Sequence, residues 1–220
     1  MSATEPSKLP SGQQSHDTRR ASPRSSLMLR TAKLVCQSGE YVCIVRDVSP
    51  EGVGLRFLHA APTERRILLE LANGATYPVE RVWAGKQQSG FRFAAAIDLH
   101  EFIHEPSPYR ARPIRLRISA AASLASGNQA EAAGLVDLST GGARVESARD
   151  YGIGCILRLE VGSQLSKLAE VCWADEGRLG LSFLQPMTIE ELAGTALALQ
   201  PYGSMRECGA TDHAKAVRAA

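Results

Sequence analysis

The chain has 220 residues, 44% hydrophobic and 22% charged, a balance that excludes wholesale disorder and suits either one large core or two small ones. Its formal net charge of +2 gives no global field for nonspecific nucleic-acid binding. No apolar run approaches the ~18 residues of a membrane-spanning helix, and the first residues lack a hydrophobic signal core, so a cytoplasmic protein without membrane insertion is expected.

In chain order, residues 1–18 are rich in Ser, Pro and Gln and read as a disordered tail. Positive charge collects near this end: Lys8, Arg19, Arg20, Arg24, Arg30 and Lys33 face only Glu5 and Asp17. Short runs of period two follow, the mark of half-buried strands: Val53, Leu55 and Phe57, then Ile67, Leu69 and Leu71, then Val79 to Trp83, then Phe91 and Phe93. Asp98 to Glu105 has helical character and ends at Pro106, which opens the extended link Pro106-Ser107-Pro108.

The pattern then repeats. Residues 90 positions apart match: Asp47, Ser49 and Gly52 with Asp137, Ser139 and Gly142; Glu80 and Trp83 with Glu170 and Trp173; Gly90 and Phe93 with Gly180 and Phe183; Arg20 with Arg110. Ala143 and Val145, Leu157, Leu159 and Val161, Ala169 to Trp173, and Leu181 and Phe183 take the same inward phase as in the first copy. Thr188 to Leu199 reads as a closing helix, with Thr188 and Glu191 forming a capping box. The expected fold is therefore all-β, two tandem small antiparallel β-barrels each followed by a short helix. The boundaries read 19–105 for the first domain, 106–108 for the linker, 109–200 for the second domain and 201–220 for a disordered tail.

Five cysteines without a Cys-x-x-Cys pair suggest neither a disulfide framework nor a zinc site, and Cys172 in its apolar strand reads as a small core residue. Trp83 and Trp173 each end an apolar strand at the same repeat position, so barrel packing is expected of them rather than base stacking. His100-Glu101-Phe102-Ile103-His104 matches His-Glu-x-x-His by letter, but the segment is too short for such a site and has no third ligand. Phe102 and Ile103 should pack it on the barrel with both histidines at the surface, so no metal site is expected. No phosphate-binding Gly-x-x-x-x-Gly-Lys loop or nucleophile elbow appears, which disfavours an enzyme and any cofactor.

The constellation that carries chemistry is Arg20-Ala-Ser-Pro-Arg24, followed after a strand hairpin by Asp47-Val-Ser49-Pro-Glu-Gly52. Arg-x-x-x-Arg and Asp-x-Ser-x-x-Gly, in this order ahead of a small β-barrel pattern with a later tryptophan strand and a Gly-x-x-Phe strand, resemble the PilZ family of cyclic di-GMP receptors. The resemblance implies PilZ-like barrels, a cyclic di-GMP ligand bound by Arg20, Arg24, Asp47, Ser49 and Gly52, and a flexible arginine arm folding over a ligand held against the barrel. It also implies signalling to a protein partner through the conformational change; the alternative is a nucleotide-independent PilZ-like adaptor, as family members with eroded motifs suggest.

The residue chemistry suits that ligand. Guanine offers the acceptors O6 and N7 on one edge and N–H donors on another. An arginine fork can pair with O6 and N7 or with phosphate, and can stack on the base. The Asp47 carboxylate can accept from the donor edge, and the Ser49 hydroxyl can donate or accept. Gly52 allows positive φ or a close backbone approach at the turn. The second copy keeps Asp137, Ser139 and Gly142, but the residue 90 positions after Arg24 is Ile114; Arg112 and Arg115 lie nearby, and Pro113 restricts that backbone. The second site is therefore expected to be degenerate, its domain serving as a docking or dimerising surface.

Overall fold

The structure, a computed structural model, describes residues 25–108, 112–127 and 129–200. The two tails, Arg20, Arg24 and Arg110 lie outside the described residues.

Alternating apolar residues produce two closed six-stranded antiparallel barrels. The first comprises β1 (Ser25–Cys36), β2 (Gly39–Ser49), β3 (Gly52–Arg56), β4 (Arg66–Glu70), β5 (Thr76–Ala84) and β6 (Gln88–Phe93), in spatial order β1-β2-β3-β6-β5-β4. Lys33 to Val35 of β1 pair with Leu68 to Glu70 of β4 and close it. Helix α1 (Leu99–His104) follows, then β7 (Arg115–Ser126), β8 (Gln129–Ser139), β9 (Gly142–Ser147), β10 (Ile156–Val161), β11 (Leu165–Asp175), β12 (Arg178–Phe183) and α2 (Ile189–Leu199). The second barrel has the same strand order.

The inward residues are those the alternation marks. Val53, Leu55, Phe57, Ile67, Leu69, Leu71, Val79, Phe91 and Phe93 fill one core, and Ala143, Val145, Leu157, Leu159, Val161, Ala169, Val171, Leu181 and Phe183 the other. Both helices start as their caps require: the Asp98 side chain accepts from the N–H groups of His100 and Glu101, and the Thr188–Glu191 capping box forms. Phe102 is buried against Tyr77 and Phe93, while His100 and His104 stack on each other at the surface, 4.0 Å between centroids. Among the described residues no group of three His, Cys, Asp or Glu side chains is placed to hold a metal ion.

Cys172 departs from expectation, and the two tryptophans pack on the barrel from its outer side. β11 bulges between Val171 and Trp173, and β5 between Arg81 and Trp83. Cys172 follows the inward Val171 and turns outward by alternation itself, so it is exposed instead of sitting in the core; the bulge breaks alternation at the tryptophan that comes next. Trp83 and Trp173 remain 44% and 39% exposed and lie on the outer face, where each indole covers a glycine of the next strand, Gly90 and Gly180. They pack on the barrel from outside.

The barrels dock through β2. Its run Tyr41-Val42-Cys43-Ile44-Val45 is buried on both faces, whereas β8 is mostly half-buried or exposed over its first half. Val42 and Leu58 pack into the second barrel's core cluster. Beside them Lys33, 5% exposed, meets Glu40 Oε2 at 2.9 Å, Glu70 Oε1 at 3.2 Å and the Arg115 carbonyl at 3.1 Å, so each of its three ammonium hydrogens has an acceptor. Glu40 Oε2 also accepts from the Arg117 backbone N–H at 2.9 Å. On the far side Gln200 donates to the carbonyls of Glu40 and Ala196 and accepts from the Glu40 N–H. Its side chain fills the space over Gly39, where φ is +139° and a Cβ would collide with the Gln200 amide.

Candidate functional site

In both barrels the Asp-x-Ser-x-x-Gly motif forms a tight hairpin turn, between β2 and β3 and between β8 and β9. Ser49 pairs with Gly52, and its Oγ accepts from the Gly52 N–H at 3.2 Å. Ser139 Oγ donates to the Gly142 carbonyl at 3.1 Å. The glycine serves the neighbouring strand: a Cβ at Gly52 would stand 2.7 Å from the Phe91 carbonyl oxygen, and one at Gly142 would collide with that of Leu181. Close approach of β6 and β12, not positive φ, fixes these two positions.

The aspartate begins a row across the outer face. In the first barrel Asp47 pairs with Gly54, Gly54 with Gly90, and Gly90 with Trp83. A Cβ on Gly54 would stand 2.5 Å from Asp47 Oδ2, so the carboxylate leans across the space a side chain would take. Two glycines side by side thus make room for a carboxylate over Gly54 and an indole over Gly90. In the second barrel the row reads Asp137, Arg144, Gly180, Trp173. Asp137 is buried, and both oxygens are engaged: Arg115 Nη1 lies 3.1 Å from Oδ1 and Arg144 Nη2 2.8 Å from Oδ2.

One row further along, Gly52 pairs with Arg92, Arg92 with Glu80 and Glu80 with Arg66. Arg92 and Arg65 both reach Glu80, at 3.4 and 2.8 Å. The second barrel places Ser182, Glu170 and Ile156 at the same positions. Beyond Arg92 an open groove of about 730 Å³ runs over β4, β5 and β6, past Leu68 and Pro78.

The pairing register also corrects the match between the copies. Ser26 faces Asp47, and Arg117 faces Asp137, but the bulge in β1 between Ser26 and Arg30 holds one residue more than that in β7 between Arg117 and Ala120. Upstream of the bulge the repeat therefore runs 91 residues, not 90. The counterpart of Arg24 is Arg115, not Ile114, and Ile114 is a buried core residue of the second barrel. In the second copy, then, an arginine at the mouth of the first strand does reach the aspartate of the turn. Arg92 and the facing pair Gly54 and Arg144 were missed from sequence; only the strand register shows what they stand beside.

Residues 109–197 match the PilZ domain model. No curated protein matches the chain. Among solved structures it is similar to PlzA of Borreliella burgdorferi in complex with c-di-GMP, with 12% identity, TM-score 0.33, and 76% of this chain and 86% of that one covered. It is also similar to YcgR of Escherichia coli in complex with c-di-GMP, with 16% identity, TM-score 0.31, and 86% and 88% covered. The inhibitor of motility MotI/DgrA of Bacillus subtilis shows 10% identity, TM-score 0.29, and 82% and 97% covered. At TM-scores of this size the likeness is too loose to place a side chain.

Proposed function

We propose, from the match of residues 109–197 to the PilZ domain model, that the protein is a cyclic di-GMP receptor whose first barrel, with the arginines ahead of it, holds the nucleotide. One observation carries the reading. In the matched domain the arginine that opens the first strand reaches the motif aspartate, Arg115 to Asp137 at 3.1 Å. The first barrel repeats that turn in the same register behind Arg20-Ala-Ser-Pro-Arg24. Two guanidinium groups and one carboxylate suit a ligand of two guanines and two phosphates: the arginines take O6, N7 and phosphate oxygens, and Asp47 takes the donor edge. Ser49 and Gly52 hold the turn in shape beneath it.

Arginines that close over a ligand change what the barrel presents to a partner, and that population shift is the proposed signal. Calorimetric titration of the whole chain with cyclic di-GMP, beside Arg24→Ala, tests the reading. Saturable binding that the variant loses supports it; no saturable binding to the native chain overturns it.

The adaptor reading draws on the second barrel's surface, where Ile156, Leu168 and Leu184 are 55%, 43% and 49% exposed. The Leu184 N–H donates to the Leu168 carbonyl, so these two side chains are neighbours on one apolar patch. The two readings can hold together, with nucleotide on one barrel and a protein partner on the other.

A further inference from the structure

We propose that the protein pairs with a second copy of itself, the groove over β4, β5 and β6 of one chain receiving the apolar ridge on the second barrel of the other. This rests on the exposed patch of the adaptor reading and names its occupant; it does not depend on the nucleotide.

The two faces hold the same place in the repeat and are opposite in relief. In the first barrel Val35 pairs with Leu68 and Leu68 with Pro78, and the Ala94 N–H donates to the Pro78 carbonyl, so these four share one row. All four line the groove of about 730 Å³. The same row in the second barrel reads Ala125, Arg158, Leu168 and Leu184. Where the first barrel has the short Pro78 and Ala94, the second raises two leucines, and Ile156 stands one row over, opposite Glu170. The hollow and the ridge each leave apolar surface in water, and each can cover the other. Leu68 is 41% exposed and Ile156 55% in the folded chain, so the two faces do not cover each other within one molecule.

Charge selects the pairing. Beside the groove Glu80 holds Arg65 and Arg92, while Arg66 has no ion-pair partner among the described residues. Beside the ridge Glu170 also has none among the described residues, and both side chains are exposed. An arginine at the rim of the hollow and a glutamate at the foot of the ridge complement each other across the contact. Three aliphatic side chains alone cover less than the ~1,000 Å² that a stable pair buries. Each chain carries both halves, so two copies about a two-fold axis make the contact twice.

Sedimentation equilibrium of the full chain, without nucleotide, tests the pairing. The native chain should be dimeric at about 100 µM, within reach of a small interface made twice. Arg66→Glu sets like charges against each other across both contacts, and so does Glu170→Arg, so each variant alone should pair at least about 10-fold more weakly. An equal mixture of the two variants should pair again, because every contact in the mixed dimer joins an arginine to a glutamate. Recovery on mixing cannot come from a misfolded chain. A native chain that stays monomeric overturns the proposal, as do single variants that pair like the native chain or a mixture that stays apart. A monomeric chain leaves the patch to a partner of another kind, and the receptor reading is decided by its own titration, so neither reading falls with this one.

Discussion

The two barrels share their strand order and almost every pairing, and they differ where their outer faces meet something else. Lys33 and Glu40, a buried ion pair in the first barrel, correspond to Ser123 and Ala130 in the second. Gly54 corresponds to Arg144, and Arg92 to Ser182. Duplication preserved the inward half of every strand because one methylene misplaced in a closed core is felt at once. The outward half was free to diverge, and it did so in two directions: β2 of the first barrel became a docking face, and the aspartate row of the second became a self-paired patch. An inward residue therefore reports fold and an outward one reports role.

The docking face should show the largest effect. Glu40→Ala leaves Lys33 buried with Glu70 and a carbonyl but without its closest carboxylate. Loss of one partner from a buried pair costs about 3–5 kcal/mol, so urea unfolding should lose most of its margin, whereas Ser123→Ala at the second barrel's matching position should stay close to the native midpoint. Equal midpoints for the two variants would break the comparison. Next in size is binding. Asp47→Ala should weaken cyclic di-GMP by roughly 10- to 100-fold, the ~1.5–3 kcal/mol of a charge-assisted contact, while Asp137→Ala leaves the isotherm nearly unchanged. Equal losses would show that the second site also takes nucleotide.

Much of this was legible. The period-two alternation placed Val53, Leu55 and Phe57 inside, and the 90-residue repeat required the second barrel to follow the first. What failed were one-residue events. A bulge costs the sequence nothing it displays, so the outward turn of Trp83 and Trp173, and the 91-residue offset that pairs Arg24 with Arg115, appear only once strands are set in register. The docking face did leave a trace: Tyr41 to Val45 is an unbroken apolar run, which is how a strand covered on both faces reads. Lys33 and Glu40 gave no such sign, since a charged residue is buried only when its partners, here on β4 and β7, are brought to it.

A weaker contrast lies one row from the aspartate. Arg92 stands opposite Gly52 with a guanidinium only partly engaged by Glu80, at 3.4 Å, and its second-barrel counterpart is Ser182. Its exposed charge suits a phosphate oxygen at the margin of the seat, and exposed ion contacts contribute up to about 1 kcal/mol. Arg92→Ser should therefore weaken cyclic di-GMP binding by no more than about 5-fold and flatten its salt dependence, and Ser182→Arg should do nothing to it.

The smallest contrast is in thiol chemistry, and it has a pH sign. Burial, and then the Glu64 carboxylate, push the Cys36 thiol up to about 12 from its ordinary value of 9.0; burial and then Cys36 raise Cys43 as well. A thiol held neutral in the folded chain favours folding fully below its unfolded value and loses that contribution as pH rises through its folded value. The first barrel should accordingly weaken between pH about 9 and 12, and Cys36→Ala should flatten that slope in alkaline melts. In a Cys208→Ser chain at pH 8, a maleimide should label exposed Cys172 first, half-buried Cys36 more slowly, and buried Cys43 only when the barrel opens. Labelling of Cys43 at the rate of Cys172 would mean that the first barrel opens freely, and a seat on its surface could not then be held in shape by the strands beneath it.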